Sequence, residues 1–204
     1  MRRIVAALFF VLAAASGAAA NPWDLRTEYS ADVIVTSGGQ TYNSRVARTP
    51  RALRSETQQR NGVITAILRL DRNLAWVLIP NTRNAAQVDL ASFPMLPGLL
   101  QNPNARATPE GTETLDGMNV TRWRVEGGEA GARFTGKIWA TAEGIVLKIE
   151  GEAETQQQRQ PFTLVARNIR VARQNPGLFE LPDGTQPLQI PPQLIQAILQ
   201  GQIR

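Results

Sequence analysis

The 204-residue chain has no cysteine and no histidine, and Lys137 and Lys148 are its only lysines. Without cysteine there is no disulfide, no zinc–thiolate site, no thiol nucleophile and no thiol to carry a lipid at a processed N-terminus. Without histidine the Ser-His-Asp triad, the commonest general base and the usual transition-metal ligand are all missing. Serine–lysine chemistry would need Lys137 or Lys148, which alternation places on the charged side of strands, far in sequence from most serines. No paired-acid site is evident. An enzyme is therefore not expected, nor a cofactor or a metal.

Long apolar runs are also absent, apart from one at the start. Arg2 and Arg3 form a basic opening, Ile4 to Ala15 an apolar run, and Ala18-Ala19-Ala20 a small-residue cleavage site. This predicts an export signal over residues 1–20, cleaved after Ala20. The alternative, an uncleaved anchor, meets a run shorter than the ~20 residues a span needs. Cleavage leaves roughly 184 residues, enough for one well-buried domain over 21–204. The expected location is the periplasm, as a monomer and not as a lipoprotein. Losing Arg2 and Arg3 takes the net charge from +5 to +3. Arginine supplies nearly all the positive charge. That surplus reads either as a compositional bias or as contact with phospholipid or lipopolysaccharide headgroups, which guanidinium forks suit. The arginines are dispersed and no recognition helix is evident, so nucleic acid is not an expected partner.

What is present is alternation. Gly111 to Glu152 reads as an antiparallel meander, with a turn at Asp116-Gly117, a looser break at Gly127, Gly128 and Gly131, and another at Glu143-Gly144. Thr121, Trp123 and Val125 share one face of their strand, and Phe134, Gly136, Ile138 and Ala140 share one face of the next. Ile145, Leu147 and Ile149 follow on the third. The opposite face carries Arg122, Arg124, Lys137, Lys148 and Trp139, the last read as a cross-strand or cation–π contact. Gly136, Ala140 and Gly151 leave low spots on the apolar face, where a cover or a ligand approaches closely.

Upstream, Tyr29 to Thr36, Thr41 to Thr49, Ala52 to Gln59, Val63 to Leu70, Leu74 to Pro80 and Asn84 to Leu90 read as six strands. The fifth is apolar on both faces and is expected to be central and covered on both sides over part of its length. Trp23 is expected to plug a barrel end. Ala91 to Ala105 breaks the pattern: Phe93, Met95, Leu96, Leu99 and Leu100 alternate with Pro94, Pro97 and Pro103, giving a packed crossover loop or an apolar flap. Gln160 to Arg173 is a last long strand whose parity slips, which predicts a β-bulge near Ala166 to Asn168. After a turn at Pro176 to Phe179, Pro191-Pro192 starts a short helix to about Gln200, striped by Leu194, Ile195, Ile198 and Leu199. The fold class is all-β with minor helix: an open, curved antiparallel half-barrel of about eleven strands, its concave face covered by short helices or the flap.

Three segments carry a family resemblance: Arg48-Thr49-Pro50-Arg51-Ala52-Leu53-Arg54, Leu74-Ala75-Trp76-Val77-Leu78-Ile79-Pro80 and Leu178-Phe179-Glu180-Leu181-Pro182-Asp183-Gly184. In order and spacing they resemble the LolA-like superfamily of periplasmic lipoprotein carriers. The opening at Gly111 to Thr114, the turn glycine Gly117 and Pro161-Phe162 resemble an uncharacterised secreted branch of it. The resemblance implies a half-barrel that holds acyl chains of lipid or lipid-modified protein without covalent chemistry; a membrane-bound protein is the further partner of the alternative reading, a sensor. It implies a lid-latch for Arg48, which stands two residues before Pro50 and not beside it. The expected ligand contacts are Trp76, Leu78, Trp123, Phe134, Gly136, Ile138, Ala140, Leu147 and Gly151, with Phe93, Leu96 and Leu99 as flap. Core packing is the competing reading for each tryptophan. An envelope sensor that reads lipid or lipoprotein state is the alternative function.

Overall fold

The computed structural model describes residues 22, 24–59, 62–90, 106–129, 132–155 and 159–190. The export signal, Trp23, the flap with Phe93, Leu96 and Leu99, and the helix expected after Pro191 lie outside the described residues.

The first meander runs through β1 (Tyr29–Ser37), β2 (Gln40–Arg48), β3 (Ala52–Gln59), β4 (Gly62–Arg69), β5 (Leu74–Leu78) and β6 (Asn84–Asp89). The second runs through β7 (Arg106–Leu115), β8 (Met118–Glu129), β9 (Ala132–Ala140), β10 (Val146–Thr155) and β11 (Arg159–Val171), and β12 (Gln186–Gln189) follows. All twelve form a single sheet ordered β12-β6-β5-β4-β3-β2-β1-β11-β10-β9-β8-β7. The two meanders join at the centre, where β1 pairs antiparallel with β11. The sheet is open and curved, not closed into a barrel. The count is twelve strands, one more than expected, because β12 adds in parallel beside β6.

Turn chemistry sets the register. Asp116 and Gly117 take φ of 47° and 76°, and Leu115 pairs with Met118 across them. Successive positive φ values match the twist of a two-residue hairpin.

One face of the sheet is the core. Val33, Val46, Leu53, Ala66, Val77 and Ala86 supply it from the first meander, and Ile138, Ile149 and Leu164 from the second. Strands far apart in the sheet share one apolar cluster, so the sheet curls around this inner face. Burying each valine, leucine or isoleucine of that cluster is worth about 1.5–3 kcal/mol. A register shift between Val146 and Lys148 turns Val146 and Leu147 both into the core, whereas strict alternation from Leu147 would put Val146 on the polar face.

The outer face has a smaller core of its own. Ala52, Ile67, Trp76 and Ala85 pack there against Phe179, with Leu78 and Leu178 around them. Phe179 ends a 3₁₀ turn, Pro176–Phe179, whose N-cap Asn175 accepts from the Gly177 N–H at 3.0 Å. Arg54 donates to the Leu178 carbonyl at 3.2 Å. Arg69 bonds both oxygens of Asp71, at 2.9 and 2.8 Å, and reaches Glu180 as well. β5 is therefore covered on both faces, as its sequence predicts.

Both edges resist strand addition differently. β7 carries Pro109 and a register break between Pro109 and Gly111, features that blunt an edge. β12 is four residues long and exposed throughout.

Candidate functional site

The inner face is the candidate binding surface, and its most unusual residue is Arg48. The last residue of β2, it faces inward opposite Tyr29 of β1 and Leu53 of β3, because the parity that buries Val46 also buries Arg48. It is 0% exposed, and Tyr29 beside it is buried too. Its Nη1 donates to the Ala52 carbonyl at 3.1 Å. Burial lowers the Arg48 pKa to about 10, against a small opposing effect of Tyr29. Burial raises the Tyr29 phenol, with Arg48 pulling the other way. At neutral pH Arg48 is still a cation, set into a largely apolar face whose other polar groups include Ser55 and Thr57 of β3. Charges in such surroundings are costly unless paired and hydrogen-bonded. Tyr29 is the residue sequence reading missed here. Cross-strand register, which the sequence does not print, is what joins it to Arg48.

The low spots have a different meaning from the one expected. Gly136 of β9 pairs with Gly151 of β10. A Cβ built on Gly136 would lie 2.3 Å from the Glu150 carbonyl oxygen and 2.8 Å from Cζ of Phe134, and one on Gly151 2.8 Å from the same Cζ. The Phe134 ring thus lies over the glycine pair and fills the hollow from within the protein. It meets Phe162 edge-on, with centroids 6.4 Å apart and planes at 90°. Gly136 and Gly151 exist to seat Phe134, so they are its bed and not a bare cavity floor.

Of the other expected contacts, Ile138, Ala140 and Leu147 are buried in the inner-face core, and Trp123 is half-buried against it opposite Ile138. Trp76 and Leu78 are not with them. They belong to the outer-face cluster around Phe179, and Trp76 Nε1 donates to Gln87 Oε1 at 2.9 Å. The physical reason is parity: Ala75 and Val77 take the inner positions of β5, which leaves Trp76 and Leu78 on the outside. Trp139 takes the charged side of β9 by parity but is itself buried at the border of the main core, with Lys148 Nζ 4.7 Å from its ring centroid. Its Nε1 donates to Glu113 at 2.8 Å. Among the described residues no cluster of three or more acids is placed to hold a metal ion.

No family model matches the chain, and no curated protein matches it. Solved structures do. An uncharacterised conserved protein from Thermus thermophilus superposes with a TM-score of 0.54 at 16% identity, over 82% of this chain and 93% of that one. MucB superposes with a TM-score of 0.50 at 9% identity over 80% of this chain. The MucA/MucB complex of Pseudomonas aeruginosa gives 0.50 at 10% identity over 82%. This chain spans 60% of the length of the MucB chains it matches. The likeness shows the fold. That fold is the open, curved half-barrel expected from the sequence.

Proposed function

We propose that the protein is a periplasmic carrier or binding protein, not an enzyme, that captures the acyl chains of a lipid or a lipid-modified protein on its inner face. The observation that carries this is the largely apolar inner face shared by both meanders, with the single cation Arg48 buried in it among the described residues. Each methylene drawn from water onto such a surface gains about 0.8 kcal/mol, so capture needs no covalent step. Trp123, Phe134, Ile138, Ala140 and Leu147 are the contacts in this reading. Phe93, Leu96 and Leu99 close over the chain as a flap, and Arg48 latches it. The export signal, the single domain over 21–204 and the monomeric state belong to the same reading.

The test is direct. Native mass spectrometry of protein purified from its own periplasm is expected to show a bound lipid. A phospholipid with brominated acyl chains is expected to quench the emission of Trp123, and the Trp123→Phe variant to lose that response. A protein that purifies empty and whose fluorescence ignores the brominated lipid overturns the proposal.

A second reading, an envelope sensor that passes lipid state to a membrane protein, is favoured by one observation. MucB, of the same fold, has been solved in complex with MucA. An empty, stable protein that pulls down one inner-membrane partner supports it.

A further inference from the structure

The outer face carries a second candidate site, independent of the inner face. A groove of about 510 Å³ crosses β11, β1, β2, β3 and β4 there. Its lining includes the apolar Ile34 and Val63, the latter exposed at 48%. Its wall at one end is built by Asp32, Arg45, Glu56 and Arg167. The volume lies within the usual range of binding clefts.

The bulge in β11 shapes this end. Between Asp32↔Arg167 and Ser30↔Arg170, Asn168 and Ile169 together face the single residue Ala31. Asn168 takes φ of 52°, and its Nδ2 donates to Asp32 Oδ2 at 2.8 Å. Arg167 and Arg170 are three apart, so unbroken alternation would send one of them into the core. The extra residue puts both on the outer face while Ile169 packs inward. Re-aiming side chains is a recognised use of bulges. Arg170 stands one row beyond the groove, beside Ser30.

These two guanidiniums are unengaged. Neither Arg167 nor Arg170 makes an ion pair or a side-chain hydrogen bond among the described residues, and both are exposed. The acids nearby have other partners: Asp32 takes Asn168 and, at 3.7 Å, Arg45, while Glu56 is paired with Arg54 at 2.8 Å. Because the bulge takes up one residue, the two arginines stand opposite Asp32 and Ser30, two residues apart on β1, a separation of roughly 7 Å.

We propose that this groove binds an extended acidic peptide segment of a partner protein, with two carboxylates two residues apart on Arg167 and Arg170 and an apolar side chain on Ile34 and Val63. Guanidinium forks are suited to carboxylates. A bilayer surface fits less well, because a plane of phosphates would press on Asp32 and Glu56 as well, whereas an extended strand can set its carboxylates on the arginines alone. The proposal does not rest on lipid capture by the inner face.

The test uses a fluorescein-labelled peptide containing Glu-Val-Glu repeats, followed by anisotropy at low salt with the full-length mature protein. Saturable binding is expected, weakened roughly tenfold or more in Arg167→Glu/Arg170→Glu, as close charge pairs across interfaces allow. A charge-matched control, Arg106→Glu/Arg133→Glu, alters exposed arginines on β7 and β9 and is expected to bind like the parent. Circular dichroism checks that each variant is folded, and Arg167→Gln/Arg170→Gln provides a milder pair in case charge reversal disturbs the sheet. Equal binding by parent and groove variants overturns the proposal. So does binding of phosphatidylglycerol vesicles, but not of the peptide, in an Arg167- and Arg170-dependent way. Trp123 quenching by the brominated lipid is expected to be unchanged in the groove variants, which keeps this outcome separate from that of the inner face.

Discussion

At the scale of single residues, two positions show how chemistry at one point depends on a neighbour across a strand. Gly136 is the clearer. In an ordinary strand, replacing glycine by alanine helps by about 0.5–1 kcal/mol, because glycine loses the most freedom on folding. At Gly136 the new methyl would sit 2.3 Å from a backbone oxygen and 2.8 Å from the Phe134 ring. The ring could swing aside, but the Glu150 carbonyl belongs to the ladder and cannot move without breaking its pairing. Overpacking of this kind costs about 1–3 kcal/mol, so the net sign is reversed. Gly136→Ala is therefore expected to lower stability by about 1–2 kcal/mol in urea unfolding. An unchanged or raised midpoint would mean that the backbones of β9 and β10 do not approach this closely at Gly136. Arg48 follows the same logic with charge in place of volume. Its parity position at the end of β2 would suit a leucine, yet the structure buries a cation there, beside Tyr29.

At the scale of elements, the 3₁₀ turn Pro176–Phe179 fastens the first meander from outside. Phe179 supplies the apolar contact with Ala52, Ile67 and Trp76, and Glu180 anchors the chain just after it to Arg69 and Arg72. Glu180 is about half exposed, so its ion pairs add little, whereas Phe179 is buried. Phe179→Ala is expected to cost about 3–5 kcal/mol, and Glu180→Gln less than about 1 kcal/mol. Trp76 emission should shift to the red in the first variant only, which a fluorescence-monitored melt would reveal. A similar loss in both variants would place the fastening in the ion pairs. Much of this architecture was legible. The Asp116-Gly117 turn and strict alternation located the second meander, and the slip in parity located the bulge to within about a residue of Asn168. Other elements left no such trace. β12 has four residues, one of them Pro187, too few to establish a period. β5 is apolar on both faces, so its sequence could not say which side Trp76 takes. Arg167 and Arg170 share a face only because of the bulge, and a three-residue spacing gives no hint of that in a strand.

At the scale of the whole molecule, an open sheet that curls around an apolar face has a thermodynamic consequence if that face holds a ligand. Anything that binds the folded state alone stabilises it by about 2.7 kcal/mol at a free concentration one hundred times Kd. For a chain of this size each kcal/mol moves Tm by about 2–4 °C. Protein stripped of lipid by a hydrophobic resin is thus expected to melt roughly 5–10 °C below the protein as purified. Adding back phospholipid should restore the difference. The stripped protein should also bind more of an apolar dye, since removing the ligand uncovers the inner face. Arg167→Glu/Arg170→Glu should show the same shift as the parent, because those arginines lie on the outer face and have no part in holding acyl chains. The decisive comparison is the melting curve before and after stripping. Coincident curves, with no gain in dye binding, would mean that the protein's own side chains fill the space around Phe134 and Ile138, and that the curved sheet is a rigid support for its outer face.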